Sequence, residues 1–169
     1  MRLFISIQFE PNMIRALTDF QEKLRKISAV GNYTKEENLH LTLAFIGEYG
    51  NPEDVLDAME NVDFQPFDIR LEGMGCFGDL LWVGVAGDEE LSAVVKRLHH
   101  ELADAGIPFD NKKFKPHVTM IRKVSFRTDQ RLPLEHLRPE KMTVKRISLM
   151  KSERGKNGMI YTEIGAIER

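Results

Sequence analysis

The sequence predicts an α+β fold of two pseudo-symmetric lobes, each an antiparallel sheet with outer helices, with a cleft between them. Three observations carry that reading. Apolar residues alternate at strand spacing in several short runs and recur at helical spacing in two long ones. The order strand, long helix, strand occurs twice. Each copy closes on the same pattern, His40-Leu41-Thr42-Leu43 and His117-Val118-Thr119-Met120, with the two histidines 77 positions apart. Successive strand residues point to opposite faces, so His40 shares a face with Thr42, and His117 with Thr119. Two such strands facing one cleft make a site. At that offset Phe4 falls on Leu81, Ile5 on Trp82, Ile14 on Leu91 and Leu17 on Val94, apolar on apolar, as an internal repeat requires. The 169 residues are expected to form a single bilobal domain spanning positions 1–169.

Taken in order, residues 2–9 read as a strand, and Pro11 suits the first turn of a helix presenting Ile14, Leu17, Phe20, Leu24 and Ile27. Residues 30–34 are extended. Residues 38–46 form the strand with the first motif, stopped by Gly47. Asn51-Pro52 starts a helix whose buried face is Val55, Leu56, Met59 and Val62. Residues 67–77 and 80–86 are strands joined at Gly78-Asp79. Asp88 opens a second long helix with Leu91, Val94, Val95, Leu98 and Leu102 inward and Gly106 as its stop. His99 and His100, adjacent on that helix, cannot share a face and read as surface or boundary residues. The second motif strand runs from the Lys115-Pro116 junction to Arg122, and a polar segment reaches about Pro139. Residues 141–151 and 159–167 close the chain as a hairpin around Gly155-Lys156-Asn157-Gly158.

Composition narrows the function. The chain is 42% hydrophobic and 30% charged, without a low-complexity tract. No apolar run approaches a membrane span, and the amino-terminal segment alternates like a strand, so a cytoplasmic protein with no membrane partner is expected. One cysteine, Cys76, excludes an internal disulfide and a cysteine-clustered metal site. The net charge of -2 hides an asymmetry. Residues 106–154 hold 13 Lys and Arg against 5 Asp and Glu, whereas the rest holds 11 against 21. Lys112, Lys113 and Lys115 precede His117, and Arg122 and Lys123 follow it. A solvated basic face would look the same, but beside two histidines this flank suits an anionic ligand such as a phosphate or nucleic-acid end.

A lone histidine is commonly a buried residue bonded to backbone; two in matched settings point to paired acid–base chemistry. Imidazole titrates near neutrality, so one ring can take a proton while its protonated partner gives one. Each threonine offers a hydroxyl to an anionic oxygen. Water attacking a strained cyclic phosphate needs these groups and no protein nucleophile. HExxH spacing, a Gly-rich P-loop, a GxSxG elbow and GxGxxG are all missing from the sequence, which speaks against zinc, ATP and serine chemistry.

The longer motifs, residues 40–47 (HLTLAFIG) and 114–122 (FKPHVTMIR), make the chain resemble the two-histidine phosphoesterases. The branch it is most similar to is the LigT-like RNA 2',3'-cyclic phosphodiesterases, once named 2'-5' RNA ligases. The resemblance implies a metal-free, cofactor-free enzyme that opens the 2',3'-cyclic phosphate of RNA ends or nucleotides to a 2'-phosphate, and a monomer is expected. His40 would be the proton donor to the leaving 3' oxygen, His117 the proton acceptor that activates water, and Thr42 and Thr119 the phosphate-holding residues. Arg122 matches a position where close relatives often carry arginine and is a candidate phosphate contact, although simple alternation sets it opposite His117 unless a bulge intervenes. Tyr33 and Phe45 are candidates for base stacking, with a core position as the competing reading. The implied alternatives are ligation as the reverse reaction and non-catalytic binding of RNA ends or nucleotides.

Overall fold

The computed structural model describes residues 1–126 and 133–169. Strand β1 (Arg2–Gln8) leads through helix α1 (Pro11–Lys26) to β2 (Val30–Tyr33), a 3₁₀ turn at Glu36–Asn38, β3 (His40–Glu48) and helix α2 (Pro52–Glu60). A hairpin of β4 (Phe67–Phe77) and β5 (Leu80–Ala86) precedes α3 (Asp88–Asp104) and β6 (His117–Ser125). After a second 3₁₀ turn at Leu134–His136 come β7 (Lys141–Val144), β8 (Arg146–Gly155) and β9 (Gly158–Glu168). The segment read as loop up to Pro139 includes residues 127–132, which lie outside the described residues.

Local chemistry accounts for the helix ends. Pro11 and Pro52 occupy first-turn positions, where the missing N–H costs nothing, and Asn51 caps α2 by accepting a bond from the Glu53 amide at 3.2 Å. Gly106, at φ 72°, takes the left-handed step after α3.

The strands form two antiparallel sheets, β3-β1-β8-β9 and β2-β6-β5-β4-β7. β1 lies beside β3 in one and β5 beside β6 in the other, so the repeated order of strand, helix and motif strand is real. Its offset needs a correction. Ser6 and Gln8 sit opposite Thr42 and His40, whereas Trp82 and Gly84 sit opposite Thr119 and His117. The first strands of the two units are therefore related by 76 positions, and Ser6, not Ile5, is the counterpart of Trp82.

The long helices are exchanged between the sheets. Helix α1, whose unit belongs to the first sheet, donates from Asn12 to the carbonyl of Lys141 and from Gln21 to that of Met120, both on strands of the second sheet. Helix α3 touches β4 of its own sheet but also reaches β3 of the other, where His99 donates to the Leu43 carbonyl at 2.9 Å. Phe20, Leu24, Leu91, Leu98 and the inward residues of both sheets then bury into one continuous core.

Three boundary expectations fail. The second motif strand starts at His117 and continues past Arg122 to Ser125. The first motif strand starts at His40 and runs through Gly47, which takes φ 83° beside a register shift, to Glu48. Residues 141–151 are not one strand: the chain breaks at Lys145, β7 pairs with β4, and β8 pairs with β1 in the other sheet. Apolar alternation continues across the break and carries no mark of a change of sheet. The terminal hairpin is as expected, closed by Lys156-Asn157 between paired Gly155 and Gly158.

Candidate active site

Both motif strands turn their polar residues toward one cleft of about 1890 Å³, and His40, Thr42, His117, Thr119 and Arg122 all line it. Arg122 reaches it through a β-bulge. Trp82 pairs with Thr119 and Leu81 with Ile121, which leaves Met120 as the extra residue, and both Met120 and Ile121 are buried. The break in alternation returns Arg122 to the face of His117. β3 has the same device: Ser6 pairs with Thr42 and Ile5 with Ala44, so Leu43 is extra and Phe45 swings into the cleft. Each bulged carbonyl is held by an exchanged helix, Met120 by Gln21 and Leu43 by His99. Adjacent on α3, His99 is thus half-buried and structural, and His100 is exposed beside Asp104.

The histidines are anchored alike. Nδ1 of His40 bonds the carbonyl of Asn38 at 2.7 Å and Nδ1 of His117 that of Lys115 at 2.5 Å. A carbonyl only accepts, so Nδ1 carries the proton in both rings and Nε2 is left for proton transfer. Nε2 of His40 lies 2.9 Å from the Thr42 hydroxyl. Burial pushes the pKa of His40 below the ordinary imidazole value, and the positive charges of Arg122 and His117 push it the same way; the Asn38 carbonyl opposes them. An anion in the cleft would offset the two charges and favour the protonated ring.

Aromatic rings brace both imidazoles. Phe4 and Tyr161 stand 5.0 and 5.3 Å from His40, centroid to centroid, and Phe77 and Trp82 stand 5.1 and 6.3 Å from His117. The indole lies over Gly75, where a Cβ would collide with it. These four residues escaped the sequence reading, because nothing in one strand says which remote strand will lie beside it. Tyr33 and Phe45 both line the cleft and neither is a core residue. Each has a guanidinium over its ring, Arg25 at 4.2 Å and Arg2 at 4.9 Å. Of the basic flank, Lys112 and Arg122 line the cleft, whereas Lys115 lies 5.6 Å over the Phe77 ring and Lys113 and Lys123 are exposed elsewhere. Among the described residues no three His, Cys, Asp or Glu side chains are grouped to hold a metal ion, and no helix is long and apolar enough to cross a membrane.

A family profile described as the 2'-5' RNA ligase superfamily matches residues 13–156, both motifs included. The chain belongs to this superfamily. Within its range of relatives, an Archaeoglobus fulgidus protein named RNA 2',3'-cyclic phosphodiesterase is 32% identical over 129 residues, 72% of each chain. A Methanocaldococcus jannaschii protein of the same name is 30% identical over 97% of this chain and 98% of its own. The crystal structure of E. coli LigT complexed with 3'-AMP has a TM-score of 0.81 at 22% identity, covering 99% of this chain and 96% of that one. That likeness extends the superfamily fold, two antiparallel sheets with helices, over the whole length described here.

Proposed function

We propose that this chain hydrolyses the 2',3'-cyclic phosphate of an RNA or nucleotide end to a 2'-phosphomonoester. The observation that carries the reading is the matched pair of imidazoles. Each has Nδ1 committed to a backbone carbonyl and Nε2 left for proton transfer, that of His40 bonded to the Thr42 hydroxyl, in one cationic cleft. The superfamily relatives named for this activity support it.

In the reaction, Nε2 of neutral His117 takes a proton from water as its oxygen attacks phosphorus. The bond from phosphorus to the 3' oxygen breaks, and Nε2–H of protonated His40 gives that oxygen its proton, leaving phosphate on the 2' oxygen. The bound anion raises the proton affinity of His40 at the moment a donor is needed. Protonation also ends the bond that Nε2 accepts from the Thr42 hydroxyl: Nε2–H turns to the 3' oxygen, and the hydroxyl gives its hydrogen to a phosphate oxygen. Thr119 and Arg122 stabilise the remaining oxygens. No step requires a metal or cofactor. Ligation to a 2'-5' bond uses the same groups with a 5' hydroxyl in place of water and stands as a secondary, near-equilibrium activity. We further take the chain to act as a single cytoplasmic domain and as a monomer; the lone free thiol of Cys76 suits a reducing compartment.

The test is turnover of a 2',3'-cyclic mononucleotide by the purified protein with and without EDTA. A 2'-phosphate product at equal rates is expected. Loss with EDTA and recovery with zinc or manganese overturns the metal-free scheme, and tight binding without turnover makes the protein a binder. Either His40→Ala or His117→Ala should nearly abolish hydrolysis. A substrate with a very good leaving group at the 3' position should partly rescue His40→Ala alone; rescue of His117→Ala instead would reverse the two roles.

A further inference from the structure

The cleft is larger than its proposed chemistry needs. Sites for small ligands enclose roughly 300–1,000 Å³, and this one has about 1890 Å³. Its extra wall is the end of the last hairpin. β1 pairs with β8 only as far as Ser152, and from Glu153 to Ile160 the two strands of the hairpin pair only with each other among the described residues. The resulting two-stranded ribbon is tied across the cleft to the segment before His40. Lys35 donates to the carbonyl of Asn157, and Asn38 donates to that of Met159 at 3.0 Å.

Both walls carry cations without carboxylate partners among the described residues. Around Phe45, Arg2 covers the ring, Glu48 binds the terminal amine of Met1, and Lys112 gives Asp110 only its backbone N–H, so the Arg2 and Lys112 side chains have no carboxylate partner among the described residues. On the ribbon wall Glu153 is taken by Lys151 at 2.9 Å. Lys35 and Arg154 line the cleft there with no carboxylate partner among the described residues. Both are exposed; Lys35 has Lys112 as its counterpart 77 positions on, whereas Arg154 lies on the ribbon, outside the repeated units.

We infer that the ribbon and Lys35 form a second, non-catalytic subsite for the backbone phosphate of single-stranded RNA upstream of the reacting end, so that oligomers are preferred over mononucleotides. The inference rests on the proposed cyclic-phosphate hydrolysis and names its substrate class. A mononucleotide with a cyclic phosphate has no upstream phosphodiester and fills only the histidine end. An oligomer must lead its chain out of the cleft, and unpaired cations along the exit attract its phosphates and release counterions.

The experiment compares a 2',3'-cyclic mononucleotide with a short RNA oligomer ending in a 2',3'-cyclic phosphate, for the native protein and for Lys35→Gln, Arg154→Gln and the double variant. Glutamine keeps an N–H donor on a side chain one bond shorter than lysine and removes the charge. Expected is a native kcat/KM at least tenfold higher for the oligomer. In the double variant the oligomer should lose about tenfold or more through KM, while the mononucleotide stays within twofold. The dependence of oligomer KM on salt should also flatten, by roughly 0.7 in log–log slope for each phosphate that is no longer neutralised. Equal losses on both substrates, or none on either, overturn the subsite. Binding of an oligomer already ending in a 2'-phosphate, followed by fluorescence anisotropy, separates the two readings. If the native protein hydrolyses neither substrate, the catalytic proposal fails, yet weaker oligomer binding by the double variant still supports the ribbon site and unchanged binding still removes it.

Discussion

At the scale of the residue, His40 and its hydroxyl neighbour hold most of the testable chemistry. Its imidazole is held below the ordinary value of 6.5 chiefly by burial, whereas in the unfolded chain it titrates near that value. Between the two values the unfolded chain binds more protons, so stability is full above about 6.5 and falls as pH drops through the folded pKa. Chemical denaturation between pH 4 and 8 should show this slope, and it should be shallower in His40→Gln; equal slopes would mean that His40 does not titrate differently on folding. The threonines make a kinetic prediction. Thr42→Val or Thr119→Val should lower kcat by roughly 10- to 1,000-fold, as loss of a transition-state donor does, with unchanged circular dichroism. Native rates in both would make the hydroxyls structural. His40, Thr42, His117 and Thr119 were legible in the sequence because a period of two fixes which side chains share a face. Phe4, Tyr161, Phe77 and Trp82 were not, since their places beside the histidines depend on strand neighbours remote in the chain.

At the scale of the element, the bulges at Leu43 and Met120 decide what stands beside the motifs. Without them Phe45 and Arg122 would point into the core, as strict alternation demands. The sequence raised Arg122 as a candidate and marked its face as the obstacle; the bulge removes that obstacle, and neither strand carries a glycine or proline at the bulged position to announce it. The exchanged helices bond both bulges, and at Met120 the Thr34 amide adds a backbone bond to the same carbonyl at 2.9 Å. Gln21, only 3% exposed, bonds the carbonyls of Thr34 at 2.9 Å and Met120 at 3.3 Å. Gln21→Leu leaves two inward carbonyls without it and should cost about 1–3 kcal/mol in urea unfolding. It should also raise KM for a cyclic phosphate more than it lowers kcat, because Arg122 is re-aimed while both histidines keep their anchors. A stability loss with unaltered KM would show that the bulge holds without the helix.

At the scale of the whole molecule, two sheets share one core because each motif unit lends its helix to the other. The doubled order of elements was legible from spacing, but the exchange was not, since a connection of a given length can reach either sheet. Nor was the change of sheet at Lys145. Cooperativity follows from the exchange. Fragments 1–62 and 63–169, cut between α2 and β4, should each lack a cooperative thermal transition and should regain one with activity when mixed; a fragment that melts sharply alone would show that its half closes its own core. Symmetry is the remaining consequence. Were the two units separate copies of one short chain, the lent helices would make them an obligate two-fold pair, and every position would have to serve identically on both sides of the cleft. Joining them in one polypeptide lifts that constraint, and the equivalent bulged strands have used the freedom to carry Phe45 on one side and Arg122 on the other. A fused chain can give its two histidines different surroundings and hence different proton affinities, and so divide the labour of acid and base, which a symmetric pair of identical subunits must share.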